Sequence, residues 1–169
     1  MNHIKEFKEI VTELVFSDKG LTKLPILPEG LIRLYCSRNN LRELPILPIS
    51  LNVLSCSDNK LIELPELPDV LIELNCYNNK LIKLPDLPDT LETLYCYTNN
   101  LGELPKLPDG LKELCCFENN LSELPILPES LEYLNCHNNN NLPYEDLAGY
   151  NQWLEINHPE VVNSRKFNI

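Results

Sequence analysis

The sequence predicts a solenoid of short stacked repeats with one continuous parallel β-sheet, and three observations support this fold class. The stretch 31–48, LIRLYCSRNNLRELPILP, returns almost unchanged every 20 residues until about residue 140. Leucine, cysteine and asparagine recur at fixed positions of each repeat. A Leu-Pro-x-Leu-Pro motif begins at residues 24, 44, 64, 84, 104 and 124. Repeats of this length are typical of solenoids.

The recurring positions define the core of the predicted repeat. The cysteines are Cys36, Cys56, Cys76, Cys96, Cys116 and Cys136, and the asparagines are Asn39, Asn59, Asn79, Asn99, Asn119 and Asn139. The pattern LxxLxCxxNxL is the signature of a leucine-rich repeat, with cysteine at its third apolar position. Ordering some twenty residues costs on the order of 20–40 kcal/mol. A repeat is therefore expected to fold only by burying its apolar side chains against both neighbours.

Each repeat is predicted to contain one strand and one extended return segment. The strands are expected near 33–37, 53–57, 73–77, 93–97, 113–117 and 133–137. Alternation sends Leu34 and Cys36 inward and residues 33, 35 and 37 to the opposite, concave face. The paired prolines fix φ and remove amide donors, which favours an irregular, polyproline II-type convex side.

Three segments are predicted along the chain. Residues 1–13 form an N-terminal cap with apolar residues at helical spacing, and residues 14–142 form an atypical first repeat followed by six regular ones. Residues 143–169 form a C-terminal helical cap and tail. The cap helix is expected over about 143–156, with Pro143 near its start and Glu145 and Asp146 in its first turn. Residues 158–169 show no period and are expected to lie loosely or to be disordered.

The composition indicates which kinds of partner and which cellular compartment to expect. The formal net charge of −11 disfavours nucleic acid and anionic membranes, and any charge-steered partner is expected to be basic. No apolar secretory segment or membrane span is recognised, so a cytoplasmic or host-intracellular protein is expected. Seven cysteines, six of them at one repeat position, indicate reduced thiols rather than a disulfide framework.

The cysteine and asparagine columns are interpreted as structural. A ladder of cysteines presents its thiols in a line, whereas zinc requires four converging ligands. Cys115 differs because it occupies the strand face, where an exposed thiol is conceivable. The asparagines are expected to satisfy backbone groups where the chain leaves each strand. Asp69, Asp89 and Asp109 are interpreted as turn residues rather than as a calcium site.

Aromatic residues on the strand face are the candidate partner-binding site. Tyr77, Tyr97 and Phe117 are predicted to form a contiguous stripe, because they occupy one position of successive repeats. The full candidate set is Tyr35, Tyr77, Tyr95, Tyr97, Phe117, Tyr133 and His137. Aromatic residues are enriched at interfaces, but cross-strand packing that stabilises the sheet would also explain them. His137 is expected to neighbour Phe117, with Glu118 of the adjacent column within its reach.

The strict Leu-Pro repeat resembles the short leucine-rich repeats of secreted bacterial effectors, the YopM and IpaH families, over about residues 14–142. Similar repeats occur in proteins of large DNA viruses of amoebae. The resemblance implies a repeat domain that binds a host protein. In IpaH-type effectors a separate C-terminal domain supplies ubiquitin-ligase activity through a cysteine; the segment after Leu142 is short and contains no cysteine, so this activity is not implied.

The leading hypothesis is a non-enzymatic protein–protein interaction module, with an effector or virus–host interaction role. No motif for catalysis, cofactor or metal binding is recognised. Two alternatives stay open: the substrate-recognition portion of an effector-type ubiquitin ligase, and a thiol-based metal or redox protein. The identity of the partner, the source organism and the oligomeric state also stay open.

Overall fold

Seven short parallel strands form the sheet of the solenoid. The computed structural model describes residues 11–140 and 142–166, with side chains described up to residue 162. The strands are β1 Glu13–Val15, β2 Arg33–Tyr35, β3 Val53–Ser55, β4 Glu73–Asn75, β5 Thr93–Tyr95, β6 Glu113–Cys115 and β7 Tyr133–Asn135. The helical N-terminal cap predicted over 1–13 falls almost entirely outside the described residues, and Glu13 already belongs to β1.

The strands follow one another across the sheet in chain order, and every neighbouring pair is parallel. Equivalent residues of successive repeats face each other, as Leu34 faces Leu54. The pairing also continues past the strands, since the backbone N–H of Cys56 donates to the carbonyl of Asn75 at 2.8 Å. This register places every repeat position in a column that runs the length of the solenoid.

The core lies behind the sheet and consists of leucine and cysteine columns. Leu34, Leu54 and Leu74 are fully buried, as are Cys56 and Cys76. In the Leu-Pro segments, which contain no helix or strand, the first leucine of each motif from Leu44 to Leu104 is also buried. The predicted leucine-rich repeat solenoid is therefore confirmed.

The C-terminal cap begins later than the sequence predicts. Helix α1 spans Leu147–Asn157 rather than starting near Pro143. Glu145 and Asp146 cannot be helical because they pair with the end of the sheet: Asp146 forms an antiparallel bridge with Asn135, and the carbonyl of Glu145 accepts from the Cys136 N–H at 2.8 Å. Asp146 instead caps the helix, accepting a hydrogen bond from the Gly149 N–H at 2.8 Å.

The prediction of a loose or disordered tail is wrong for most of its length. Helix α2 spans Pro159–Lys166 and contacts α1. Proline suits the first position of a helix, because its missing N–H would have no intrahelical partner there. Val161 and Val162 pack partly against the core cluster, and the ring centroids of His158 and Trp153 lie 5.0 Å apart.

The cap closes the last repeat with aromatic side chains. Tyr150 and Leu154 of α1 are buried, as the predicted apolar face requires, and so is Tyr144. The Tyr144 and Tyr150 rings meet edge to face, with centroids 5.1 Å apart. The Tyr150 hydroxyl accepts from the Leu127 N–H at 3.3 Å, which ties the cap to the final Leu-Pro segment.

Candidate functional site

Four aromatic rings stack in one column across the strand face. The centroid distances are 4.3 Å between Tyr77 and Tyr97, 4.3 Å between Tyr97 and Phe117, and 4.6 Å between Phe117 and His137. Neighbouring ring planes are within 11° of parallel. We call these four residues the ring column. The predicted stripe of Tyr77, Tyr97 and Phe117 is thus contiguous, and His137 extends it.

The ring column follows directly from the repeat. Its residues occupy the second position after each of the strands β4 to β7, and parallel strands lie about 4.8 Å apart. That spacing is close to the stacking distance of flat rings, so identical positions bring the rings face to face. Towards the N-terminal end the same column contains serines: the Ser57 hydroxyl lies 2.9 Å from that of Ser37.

Stacking covers the ring faces of the column and leaves their edges towards solvent. All four rings are half-buried. None of them belongs to the leucine and cysteine cluster that forms the core. The stack adds cross-strand contacts on the strand face, opposite the core. The ring edges offer apolar contact area beside the tyrosine hydroxyls.

Tyr95 and Tyr97 have hydroxyls that resist ionisation. The Tyr95 hydroxyl donates a hydrogen bond to the Glu113 carboxylate, and this bond, together with burial and the charge of Glu113, raises its pKa. Burial raises the pKa of Tyr97 to about 12, with a further contribution from neighbouring Tyr77. Both tyrosines therefore present neutral hydroxyl groups throughout the physiological pH range.

The remaining predicted residues lie at different distances from the ring column. Tyr133 in β7 is 49% exposed and belongs to the same repeat as His137, the last residue of the ring column. Tyr35 in β2 shares a column with Tyr95, but Ser55 and Asn75 separate the two. Tyr35 is therefore not brought together with the other aromatic residues.

His137 does not make the contact with Glu118 that its position suggested. Its Nδ1 lies 2.5 Å from Oδ1 of Asn135, while Glu118 accepts from the Thr98 hydroxyl at 2.9 Å. Stacking on Phe117 holds the imidazole parallel to the ring column. His137 and Glu118 therefore do not form a hydrogen-bonded acid–base pair in this structure.

Cys115 is not an exposed thiol, although it occupies the strand face. Its side chain is 9% exposed, and burial, followed by the charge of Glu113, raises its pKa to about 11. A protonated, covered thiol is a poor nucleophile. Sequence position indicates the face on which Cys115 lies, but burial depends on the larger neighbours, including Tyr95 beside it in the sheet.

The six cysteines of the core column are buried free thiols. Burial raises the pKa of Cys36 and Cys136 to about 12 and that of Cys56, Cys76 and Cys96 well above its ordinary value. These thiols behave as small apolar side chains. Within the described residues, no group of three or more potential ligands is placed to hold a metal ion.

The asparagine column joins each repeat to the preceding one. Asn99 Nδ2 donates to the carbonyls of Cys76 and Cys96, both at 3.1 Å, and its Oδ1 accepts from the Leu81 N–H at 3.0 Å. Equivalent bonds recur from Asn39 to Asn139. The asparagines therefore satisfy backbone groups, as the sequence predicts.

A column of left-handed residues, which the sequence analysis missed, borders the ring column. It consists of Asp18, Arg38, Asp58, Asn78, Thr98, Glu118 and Asn138, with φ between 51° and 59°. Only the aspartates and asparagines are residue types that readily adopt this conformation. The conformation turns the chain sharply, and in the six regular repeats the next residue is the asparagine whose side chain bonds the backbone behind the turn. Aspartate or asparagine at four of these seven positions is the sequence feature that could have predicted the left-handed conformation.

The sheet topology, the 20-residue register and the core columns together define a leucine-rich repeat protein. Neither helix in the described part of the chain has the length and hydrophobicity that a membrane span requires. The comparisons with known proteins agree with this class.

Three solved structures show the similarity. YopM from Yersinia enterocolitica WA-314 is 47% identical with a TM-score of 0.69, over 70% of this chain and 26% of that one. The leucine-rich repeat domain of a Shigella effector is 42% identical with a TM-score of 0.68, over 69% and 53%. YopM from Yersinia pestis, described as a leucine-rich effector protein, is 38% identical with a TM-score of 0.64, over 76% and 43%.

The predicted resemblance to effector repeat domains is therefore confirmed. This chain aligns with between 26% and 53% of the length of those three chains. No model of a known protein family and no curated protein matches it.

Proposed function

We propose that this chain is a non-enzymatic module that binds a protein partner through its strand face. The ring column is the observation that supports the proposal most strongly. It consists of large side chains that the core does not require, with their edges towards solvent. Interfaces use such rigid aromatic residues because they supply contact area at low entropic cost.

Stacking and binding are compatible roles for the ring column. Stacked rings stabilise the sheet through cross-strand contacts. The same contacts fix the rings in place before a partner arrives, so that little side-chain entropy is lost on binding. Tyr95 and Tyr133 extend the surface on one side of the column, and Tyr35 is the most distant member of the proposed site.

The proposed partner is a host protein, because two of the similar structures are described as effectors, one of Shigella and one of Yersinia pestis. An effector or host-interaction role inside a host cell follows from that likeness. The formal net charge of −11 favours a protein over nucleic acid or an anionic membrane as the partner.

Affinity capture from host-cell lysate tests the proposal with a triple variant, Tyr77→Ala, Tyr97→Ala and Phe117→Ala. We expect the variant to lose a partner that the wild-type protein captures, because hot-spot residues typically cost about 2 kcal/mol or more on truncation. Circular dichroism and urea unfolding establish that both proteins are folded under the capture conditions.

The matched control alters three exposed isoleucines on the Leu-Pro side: Ile26→Ala, Ile46→Ala and Ile126→Ala. These side chains are 95%, 90% and 68% exposed, so their removal leaves the core intact. The control is expected to retain the partner. Loss of the partner only in the control, or capture of the same partners by all three proteins, would place binding elsewhere and contradict the proposal.

A further inference from the structure

The charges of the strand face are distributed unevenly along the solenoid. Its arginines, Arg33 and Arg38, both belong to the second repeat. Arg33 Nε lies 2.6 Å from a carboxylate oxygen of Glu13, and Arg38 lies 3.7 Å from Asp18. Both cations are thus paired with the first repeat, at the end of the sheet away from the ring column.

The carboxylates beside the ring column have no such partners. They form two rows that run parallel to the ring column: Glu73 and Glu113 lie beyond the column of Tyr95, and Asp58 and Glu118 lie at the position directly after the ring column. Among the described residues none of the four forms an ion pair. Neutral groups satisfy three of them: Glu113 accepts from the Tyr95 hydroxyl, Asp58 from Asn78 Nδ2 at 2.6 Å, and Glu118 from the Thr98 hydroxyl.

Nearby lysines leave this negative charge in place. Lys112 lies 2.7 Å from Glu92, which precedes the strand face in its repeat. Lys60 donates to Asn40 at 2.7 Å. Lys80 is exposed two residues beyond Asn78, on the flank of the sheet. The middle and C-terminal parts of the strand face therefore combine apolar ring edges with four uncompensated carboxylates.

We infer that the occupant of this face is an extended basic segment of a partner protein. Glu73 and Glu113 lie two strands apart, roughly 9.6 Å at about 4.8 Å per strand. A segment in extended, polyproline II-type conformation covers that distance in about three residues and brings its side chains back to the same face every third residue. Lysine or arginine side chains at such a spacing would pair with the carboxylates, while intervening apolar side chains contact the ring edges. Charge complementarity of this kind steers association and selects against acidic partners.

The inference rests on the proposed function and adds the chemistry of the partner. A displayed library of random peptides, selected on the immobilised wild-type protein, supplies the probes. Synthetic copies of enriched peptides are then measured by fluorescence anisotropy at about 50 mM and about 500 mM NaCl. We expect peptides rich in lysine and arginine, whose affinity falls by about tenfold or more at the higher salt concentration.

The decisive variant is Asp58→Asn, Glu73→Gln, Glu113→Gln and Glu118→Gln. The amides preserve side-chain shape and can still accept the hydrogen bonds from Tyr95 and Thr98. The matched control neutralises four exposed carboxylates of the Leu-Pro side: Glu66→Gln, Asp69→Asn, Asp86→Asn and Asp89→Asn. Each variant removes four charges from the formal −11, so overall charge is held equal.

The strand-face variant is expected to bind the basic peptides about tenfold or more weakly, and the control within about twofold of wild type. Equal weakening in both variants would indicate an unspecific charge effect and overturn the inference. Neutral or acidic peptides that are lost only in the Tyr77, Tyr97 and Phe117 variant would also overturn it, while supporting the proposed function. Binding that neither strand-face variant alters would contradict both, and a library without any binder would overturn the basic-segment inference.

Discussion

At the scale of single residues, each residue of the asparagine column forms hydrogen bonds with the backbone of two repeats. In Asn99, for example, the amide donates to the Cys96 carbonyl of its own repeat and to the Cys76 carbonyl of the preceding one, while the side-chain oxygen accepts from the Leu81 N–H. These backbone groups have no partner in the sheet. An apolar side chain at this position would leave them unpaired, and an unsatisfied buried group costs about 1–3 kcal/mol.

Asn99→Ala is therefore expected to lower the free energy of unfolding by about 3 kcal/mol. Asn100→Ala is the matched control, because Asn100 is adjacent and exposed. We expect the control to change stability by less than about 0.5 kcal/mol. Urea unfolding followed by circular dichroism measures both, and equal stability of the two variants would contradict the role assigned to Asn99.

The buried thiols predict a loss of stability in alkali. The ordinary thiol pKa is 9.0, and burial raises it to about 12 for Cys36 and well above 9.0 for the fully buried Cys76. As pH rises past 9, the unfolded chain releases protons that the folded protein retains, so the equilibrium moves towards unfolding. The stabilisation is complete well below pH 9 and decreases above it.

Between pH 8 and pH 9.5 each such thiol is expected to remove roughly 0.8 kcal/mol from the free energy of unfolding. The tyrosines act in the same direction only at higher pH, because their ordinary pKa is 10.0. Unfolding titrations of wild type and Cys76→Ala test this prediction. The free energy of unfolding of the variant should fall by roughly 0.8 kcal/mol less over the interval. An identical fall would show that burial does not raise the pKa of Cys76.

Periodicity accounts for the residues that could be predicted from the sequence. Fixed spacing identifies the inward leucines, cysteines and asparagines, and it aligns Tyr77, Tyr97 and Phe117 because identical positions face each other in the sheet. It does not give side-chain conformation. The burial of Cys115 and the pairing of His137 with Asn135 depend on neighbouring side chains, so the sequence suggested exposure and a contact with Glu118 instead.

At the scale of elements, the turn after each strand is built by a residue with positive φ. Asn78 and Asn138 reveal this conformation by residue type, whereas Arg38, Thr98 and Glu118 do not. The packing of neighbouring repeats imposes the same turn on all of them. A single repeat therefore does not disclose its turn geometry, and only comparison across repeats does.

The C-terminal cap illustrates how tertiary pairing shifts an element boundary. Pro143 and the acidic residues after it are favourable for a helix start, which placed the predicted beginning too early. The bridge between Asp146 and Asn135 holds that stretch extended, and the helix starts only when Asp146 can cap it. Such pairing with a distant strand is not visible in local sequence.

Asp146→Ala is expected to lower the free energy of unfolding by about 1 kcal/mol, the usual cost of losing an N-cap. Glu155→Ala, an exposed change inside the same helix, is the control and should be nearly neutral. Hydrogen exchange adds a local readout, since amides of α1 should lose protection in the capping variant. Unchanged protection of α1 would contradict the assignment of Asp146 as the cap.

At the scale of the whole molecule, the repeat gives the solenoid one uniform core and a strand face that varies along its length. The first repeats combine paired charges with serines, and the later ones combine the ring column with unpaired carboxylates. The core columns barely change between repeats, whereas the residues of the strand face differ from one repeat to the next. This division of roles follows from stacking, in which each repeat position keeps its own column.

Site-specific photo-cross-linking tests most directly whether the strand face binds the partner. A photoreactive benzoylphenylalanine replaces Tyr133, which is 49% exposed beside the ring column, or Ile46, which is 90% exposed on the Leu-Pro side. Each protein is irradiated in host-cell lysate, and adducts are identified by mass spectrometry. We expect a discrete adduct from position 133 and none from position 46. Adducts from position 46 alone, equal adducts from both positions, or none from either would contradict the proposed binding surface.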